Sequence, residues 1–492
     1  MAKRVAVIDI GSNSIRMVVY EKTSRYAFHL LYEEKSKVRI SEDAYRYNGN
    51  LQEIPMQRTF DALSNFLNIC NSFKVRKLLC VATSALRDAP NQKIFLSKVK
   101  DKLKLNIKII SGEKEAYFGA MACANLLPKQ TNALSIDIGG GSTEFTFIND
   151  NSVSEVISLK LGTVRLKELY FDKNDIDGAV TYINSQLDKL TSLNIDKLVG
   201  IGGTFRAIST AIMKYNKYPL NKIHAYEYSA DELKDYIKNI LNTKNNEELK
   251  DLHIKNSRYD VIKPGVLILE SLLNRLDSIK EVITSGVGVR EGVYLNDLLR
   301  NSKGKFPHNY NTSVKYLLDT HVNDTTFSSQ LNTLSKKIFD LTHIFFNIEK
   351  RYRYELALSA KLYPTGGSVH FFSQNKHTYY LIQNTLEYGF THKSNTLIAT
   401  LCKYAKSKLP TESHMHKYRD LLPQEKTTQG LSFILSLAIS LLSHRPRNID
   451  FDIEFKDGIL TVISDRNIYI TKEAIKKVDS PYRDFKVKIS VP

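Results

Sequence analysis

Cysteine is scarce: Cys70, Cys80, Cys123 and Cys402 lie far apart in 492 residues and form no CxxC pair. That scatter excludes a cysteine-ligated zinc site and a disulfide framework, and it suits a reducing cytoplasm. Long apolar runs are missing too. The longest, LSFILSLAISLL at 431–442, falls short of the roughly 20 residues of a spanning helix and is broken by serines, so a buried helix is expected there and no transmembrane segment. Only a handful of apolar residues precede Asp9, too few for a signal peptide, which makes cytoplasmic localisation the expectation. The chain carries no RNA- or DNA-reading motif, so no specific nucleic-acid partner is expected. Acidic residues are in deficit, 52 Asp plus Glu against 70 Lys plus Arg, for a formal net charge of +18. Residues 301–492 hold 27 basic against 17 acidic side chains, more than their share of the excess. Such a field favours polyanionic partners.

What is present describes a folded chain. Hydrophobic residues make up 42% of it and the mean hydropathy is −0.28, which argues against disorder as a main theme; the length suggests about three domains. Up to about residue 300, short runs rich in Val, Ile and Leu (RVAVIDI, KLLCVAT, LNIKIIS, ALSIDIG, KLVGIGG, EVITSGV) alternate with helical patterns, as in α/β sheets buried on both faces. The stretch PMQRTFDALSNFLNICNSF places Phe60, Leu63, Phe66, Leu67, Cys70 and Phe73 on one helical stripe, with Pro55 at its start.

At 5–20 and again at 133–148, a strand ending in IDIG runs through a small-residue turn into a second strand. This duplication predicts two similar domains facing across a cleft, residues 1–125 and 126–304, the last helix of the second packing back on the first. From 305 to 492 the pattern turns to long helices and closes on a hairpin with Asp457-Gly458 at its turn.

A glycine-rich turn lets backbone N–H groups converge on an anion without side chains in the way. Gly139, Gly140, Gly141, Ser142 and Thr143 can form such a nest in the second half, and Ser12, Asn13 and Ser14 in the first. One glycine turn is equally a tight hairpin with no ligand; two acid-led turns in one chain are harder to read that way. Asp137 and Glu144 flank the second turn and Asp9 leads the first. Hard oxygens placed so suit Mg²⁺, which takes one or two carboxylates, several waters and substrate phosphates.

In chain order, VIDIGSNSIR, ATSALRDAPN, SGEKEA, IDIGGGSTE, LKLGTVRL, GIGGT and SGVGVREG closely resemble the Ppx/GppA family of exopolyphosphatases and guanosine pentaphosphate phosphohydrolases, within the actin-like ATPase superfamily. The resemblance covers about residues 3–300. It implies paired ribonuclease-H-like domains, a phosphate chain in the cleft between them, Mg²⁺ at DIGGGSTE, and Glu115 of SGEKEA as the carboxylate that activates water. Mn²⁺ in its place and a monovalent cation such as K⁺ are compatible with that chemistry. Glu113, two residues before Glu115, fits the lesser role of a helix-start acid. Arg87 follows a strand and is expected to grip phosphate oxygens in the cleft, with a surface pairing to Asp88 as its bland alternative; Arg16 is expected to act similarly. Gly202, Gly203 and Thr204 fall where the superfamily contacts adenosine, although the resemblance does not imply use of ATP. Lys114 departs from the acid often found at its position, and by lightening negative charge beside Glu115 it is expected to favour the ionised base.

Long members of the family carry a helical C-terminal domain related to HD phosphohydrolases. No adjacent His-Asp pair occurs where one is expected, and His370 and His377 lack partners at metal spacing. A degenerate HD-like domain is therefore expected, ending in a small α+β segment, without catalysis of its own, binding or orienting polyanion and a second copy of the chain in a homodimer. The leading reading is hydrolysis of terminal phosphates from inorganic polyphosphate and of pppGpp to ppGpp. A non-catalytic polyphosphate or alarmone sensor gains nothing from a water-directing carboxylate, and a sugar or acetate kinase of the superfamily does not share SGEKEA and ATSALRDAPN.

Overall fold

A computed structural model describes residues 4–150, 152–190, 194–406 and 408–490. The chain divides into two units, one ending at Tyr310 and the other beginning at Asn311.

The first unit holds two sheets, each opened by one of the duplicated hairpins. In the first sheet β1 (Arg4–Ile10), β2 (Ile15–Lys22), β3 (Phe28–Ser36), β4 (Lys77–Ala82) and β5 (Lys108–Ile109) run in the order β3-β2-β1-β4-β5. The second comprises β6 (Ala133–Ile138), β7 (Thr143–Asn149), β8 (Ser152–Leu159), β9 (Lys197–Ile201), β10 (Tyr226–Ser229) and β11 (Glu281–Thr284), ordered β10-β11-β9-β6-β7-β8. In both, three antiparallel strands are followed by strands parallel to the first, and the second sheet adds β10 antiparallel at its edge. The repetition reaches individual residues: Asp9 lies opposite Arg16 across β1 and β2, and Asp137 opposite Glu144 across β6 and β7. Register shifts follow at Val19/Tyr20 and Thr146/Phe147. Continuous apolar sequence makes β1 and β6 central, with Ala6, Val7, Ile8, Ala133 and Ile136 buried.

Each sheet is completed by a helix that follows the other. Helix Gly112–Leu126 comes after β5, yet its Ala120, Cys123 and Ala124 pack with Val199, Ile201 and Ile283 of the second sheet. Helix Val289–Leu298 comes after β11 and returns to the first sheet, where Tyr294 stacks on Tyr20 with ring centroids 4.4 Å apart and Glu291 accepts a 2.6 Å hydrogen bond from the Tyr20 hydroxyl. The two helices meet where Gly292 lies against the Phe118 carbonyl. Helix Glu53–Ser72 covers the first sheet with Leu63, Phe66 and Cys70, three of the stripe's residues.

The second unit is mainly helical. Helix Glu425–Leu441 carries the long apolar run and is buried along most of it, and no helix among the described residues is long and apolar enough to cross a membrane. Strands β12 (Asp452–Lys456), β13 (Ile459–Ile463) and β14 (Lys486–Ser490) form a small sheet in that order. Asp457 and Gly458 turn the hairpin with φ of 49° and 79°, both in the left-handed region that a two-residue hairpin turn needs.

Candidate active site

Equivalent ends of the two sheets converge on one cleft. Its lining takes Asp9, Ser12, Asn13, Ser14 and Arg16 from the first hairpin, and Asp137, Gly139, Gly140 and Glu144 from the second. Glu115 joins them from the first turn of helix Gly112–Leu126, which Ser111 caps by accepting the Lys114 N–H. Gly203 and Thr204 enter from the start of helix Gly202–Tyr215. Glycine lets the two turns close on each other. A side chain on Gly140 would reach Ser12 Cβ at 2.8 Å, and one on Gly141 would reach Ser84 Oγ at 2.7 Å.

The turn at 139–143 is braced from behind. Gly139 N–H donates to Ser142 O at 3.0 Å, and the Thr143 hydroxyl donates to Leu161 O at 2.5 Å, so Thr143 holds the turn. The N–H groups of Thr163 and Val164 donate to the carbonyls of Gly139 and Gly140 at 3.0 and 2.8 Å. Helix Thr163–Leu169 thus spends its otherwise unpaired amides on the loop. LKLGTVRL is a bracing motif, and Gly162 is glycine because the Gly140 carbonyl occupies the place of a Cβ.

One half of the cleft is acidic. Burial pushes the Glu115 carboxyl up to about 8; Arg87 opposes the shift and Asp9 and Asp137 add to it. Burial pushes Asp137 up to about 6 against the pull of Arg206. Glu144 is raised well above the usual carboxylate range by burial and then by Glu115 and Asp137, although Ser158 donates to it at 3.0 Å. Asp9 is raised by burial, and its Oδ1 has no hydrogen-bond partner among the described residues. Lys114 does not act as the sequence suggested. It is exposed while Glu115 is buried, and burial sets the base toward its protonated form.

Arg87 is held against the base. Its Nη1 donates to Glu115 Oε2 at 3.0 Å and to Ile110 O at 3.1 Å, and its Nη2 stands 3.5 Å from Ser142 Oγ. It is first the partner of the base, with Asp88 a looser neighbour at 3.7 Å.

The opposite half is cationic. Arg206, Arg258 and Arg290 line the cleft beside Arg16. Burial and the charges of Arg290 and Arg206 push Arg16 down to about 10, and burial likewise lowers Arg206 and Arg258. Arg290 donates to Glu33 at 2.6 Å and Arg206 to Ser285 O at 3.2 Å. Arg16, Arg206 and Arg258, lowered by burial and by neighbouring arginine charge, call for an anion, whereas Glu291 and Glu33 hold Arg290 above its usual range. No sequence signal marked Arg206, Arg258 or Arg290, which converge only through the fold; Arg290 lies inside a quoted motif, Arg206 two residues beyond one, and Arg258 in none.

Among the described residues no group of three His, Cys, Asp or Glu side chains stands at metal-binding spacing. The donors nevertheless suit a cation completed by water and phosphate. Asp137 and Glu144 share one face across the hairpin, both are under-compensated, and Asp9 keeps a buried oxygen without a partner.

Two like sheets closing on a cleft with an acidic and a cationic half define a two-lobed protein of the actin-like class, suited to phosphoryl chemistry. Residues 18–301 match the Ppx/GppA phosphatase family and residues 311–469 match its domain III, so the chain belongs to that family of hydrolases. A bifunctional 3-dehydroquinate synthase/phosphatase of Fusobacterium nucleatum is 32% identical over 55% of this chain and 43% of its own length, so the chain spans less than half of that relative. The guanosine-5'-triphosphate,3'-diphosphate pyrophosphatase of Photobacterium profundum is 27% identical over 90% of this chain and 87% of its own. Among solved structures, an Aquifex aeolicus member of the family aligns with a TM-score of 0.53 at 29% identity, covering 61% of this chain and 99% of that one. An exopolyphosphatase from Cytophaga hutchinsonii shares the fold, with a TM-score of 0.56 at 23% identity over 62% of this chain and all of that one.

Proposed function

We propose that the chain hydrolyses terminal phosphoanhydrides of inorganic polyphosphate and the 5′ γ-phosphate of pppGpp, leaving ppGpp. The observation that carries this reading is the buried Glu115, hydrogen-bonded to Arg87 at 3.0 Å on the wall of a cleft that also holds four arginines, Arg16, Arg206, Arg258 and Arg290. Relatives named for pppGpp hydrolysis, which align with about nine tenths of the chain, support the second substrate.

Glu115 takes a proton from water as its oxygen bonds to the terminal phosphorus; the anhydride P–O bond breaks and the shortened chain leaves as an anion. The four arginines meet the charge spread over the phosphoryl oxygens. Arg87 keeps Glu115 oriented and favours its ionised form. Mg²⁺, or Mn²⁺ in its place, held by Asp137, Glu144 and Asp9, would neutralise phosphate charge when bound.

The test is phosphate release with Mg²⁺ from long-chain polyphosphate and pppGpp in parallel, with Glu115→Gln as control. The variant should lose about 10²–10⁴-fold in turnover and still retain polyphosphate. Full activity in it removes Glu115 as the base. Tight binding with no release from either substrate by the unmodified protein makes the cleft a sensor.

A further inference from the structure

The second unit leaves part of its apolar surface uncovered. In helix Tyr469–Ile475 the side chain turned inward is the polar Thr471, whose hydroxyl meets His444 Nδ1 at 2.8 Å, while Tyr469 and Ile470 stand 64% and 63% exposed. His444 is fixed in turn by Asp450 at 2.9 Å, so the helix is anchored in that inverted orientation. Phe371 is 74% exposed, and Phe372 packs edge-on against it with ring centroids 5.6 Å apart. Phe371, Tyr469 and Ile470 wall a groove of about 770 Å³ together with Phe327, Tyr363 and Leu442. Large apolar side chains left exposed around one concave site mark a binding surface. The charged groups of the groove are mostly cations. Lys406, Arg445 and Lys477 line it against one carboxylate, Glu473, which Lys476 pairs at 2.9 Å. Arg445 lies over the Phe327 ring, 3.4 Å from its centroid, with Asp324 3.9 Å away. Counting Lys476 and Asp324 with the lining, four cations meet two carboxylates.

We infer that this groove binds a single-chain amphiphile with an anionic head, an acyl carboxylate or an alkyl phosphate. The apolar walls take the chain and the cations take the head, and Arg445, laid on the Phe327 ring, brings charge directly onto the apolar floor. The volume falls within the roughly 300–1,000 Å³ of small-molecule sites. A protein partner is the poorer fit. Phe371, Phe372, Tyr469 and Ile470, about two-thirds exposed, offer roughly 500 Å², short of the roughly 800 Å² that a stable partner covers on each side. A purely hydrophilic polyanion would leave the aromatic walls in water.

The chain contains no tryptophan, so Phe371→Trp places a lone indole on the groove wall. In that full-length variant, dodecanoate and dodecyl phosphate, run side by side below their micelle concentrations, should change the fluorescence saturably. Decanoate should bind about tenfold or more weakly than dodecanoate, since each buried methylene contributes about fourfold. Lys406→Glu combined with Lys477→Glu should weaken the response about tenfold or more. Both lysines are exposed, and an unchanged thermal midpoint shows that the variant is folded. Equilibrium dialysis of labelled dodecanoate against the unmodified protein covers the case in which the indole itself blocks the groove. Glu115→Gln should leave binding intact, so the result stands apart from the hydrolase reading. Saturation by either amphiphile, with that chain-length dependence and loss on charge reversal, supports the site. No binding in either assay, equal binding after charge reversal, an equal response to tripolyphosphate, or a response only to anionic phosphatidylglycerol vesicles or to an acidic helical peptide overturns it.

Discussion

Glu115 and Arg87 form one part-buried hydrogen bond, and each side chain sets what the other can do. Burial favours protonated Glu115 and the guanidinium opposes it. A carboxyl pushed up to about 8 is a base only in its ionised form, so kcat/KM at low Mg²⁺ should rise with pH and level off above about 8. Added Mg²⁺ brings positive charge to the acidic half and should move the midpoint down. Arg87→Ala removes the opposing charge and should move it up, and each unit of upward shift costs about tenfold in ionised base at neutral pH. A pH–rate profile of the two proteins checks this; superimposable midpoints would show that the pairing does not govern the base. At this scale the acidic half was legible, because Asp9, Asp137 and Glu144 sit at fixed offsets from turns. The arginine half was not. Arg206, Arg258 and Arg290 belong to three separate segments with no shared spacing, and only folding brings them beside Arg16.

Secondary-structure elements carry a different kind of constraint. Helices Gly112–Leu126 and Val289–Leu298 exchange sheets and touch backbone to side at Gly292, where the Phe118 carbonyl and Cα fill the place of a Cβ. Neither atom can swing aside as a flexible side chain would. Gly292→Ala should therefore destabilise the protein by about 2 kcal/mol or more, from overpacking a rigid contact. Gly119→Ala, on the partner helix, meets Ile201 Cδ1 at an ordinary 3.6 Å. It should be neutral or stabilising by up to about 1 kcal/mol, because alanine is the better helix former. Urea unfolding of the pair separates a crossing contact from a general intolerance of helix changes, and equal losses would refute the crossing. Strands β1, β4, β6, β9 and β11, together with the short edge strand β5, were readable as apolar runs. The outer strands β3, β8 and β10 were not, because partly exposed strands intersperse polar residues and lack a continuous signal. The crossing of helix Gly112–Leu126 was equally hidden, since nothing in a helix's own periodicity says which of two sheets it will cover; only the return of the last helix to the first half was expected.

Across the whole molecule, the duplicated IDIG hairpins foretold two matched lobes, because a repeated strand-turn-strand with the same acid offset has few other uses. The stability consequences of bringing those acids together became visible only in the structure. Asp9, Asp137, Glu115 and Glu144 all bind protons more tightly in the folded chain than their usual values imply. For such groups the stability contribution is fully present below the unfolded-state pKa and is lost as pH rises through the folded one. Burial pushes Asp137 from the usual 3.8 of the unfolded chain up to about 6 in the folded one. Without divalent cation, the unmodified protein should thus match Asp137→Asn near pH 4, fall behind it as pH rises through about 6, and trail by about 1–3 kcal/mol at neutral pH. Mg²⁺ should restore the unmodified protein and leave the variant nearly unchanged, because ligand binding stabilises only the state that holds it. Denaturant titrations at pH 4 and 7, each with and without Mg²⁺, measure both effects. A gap that is the same at both pH values would mean that Asp137 is already compensated by its neighbours, Arg206 first among them, and that the acidic half of the cleft has no unmet charge to offer a cation.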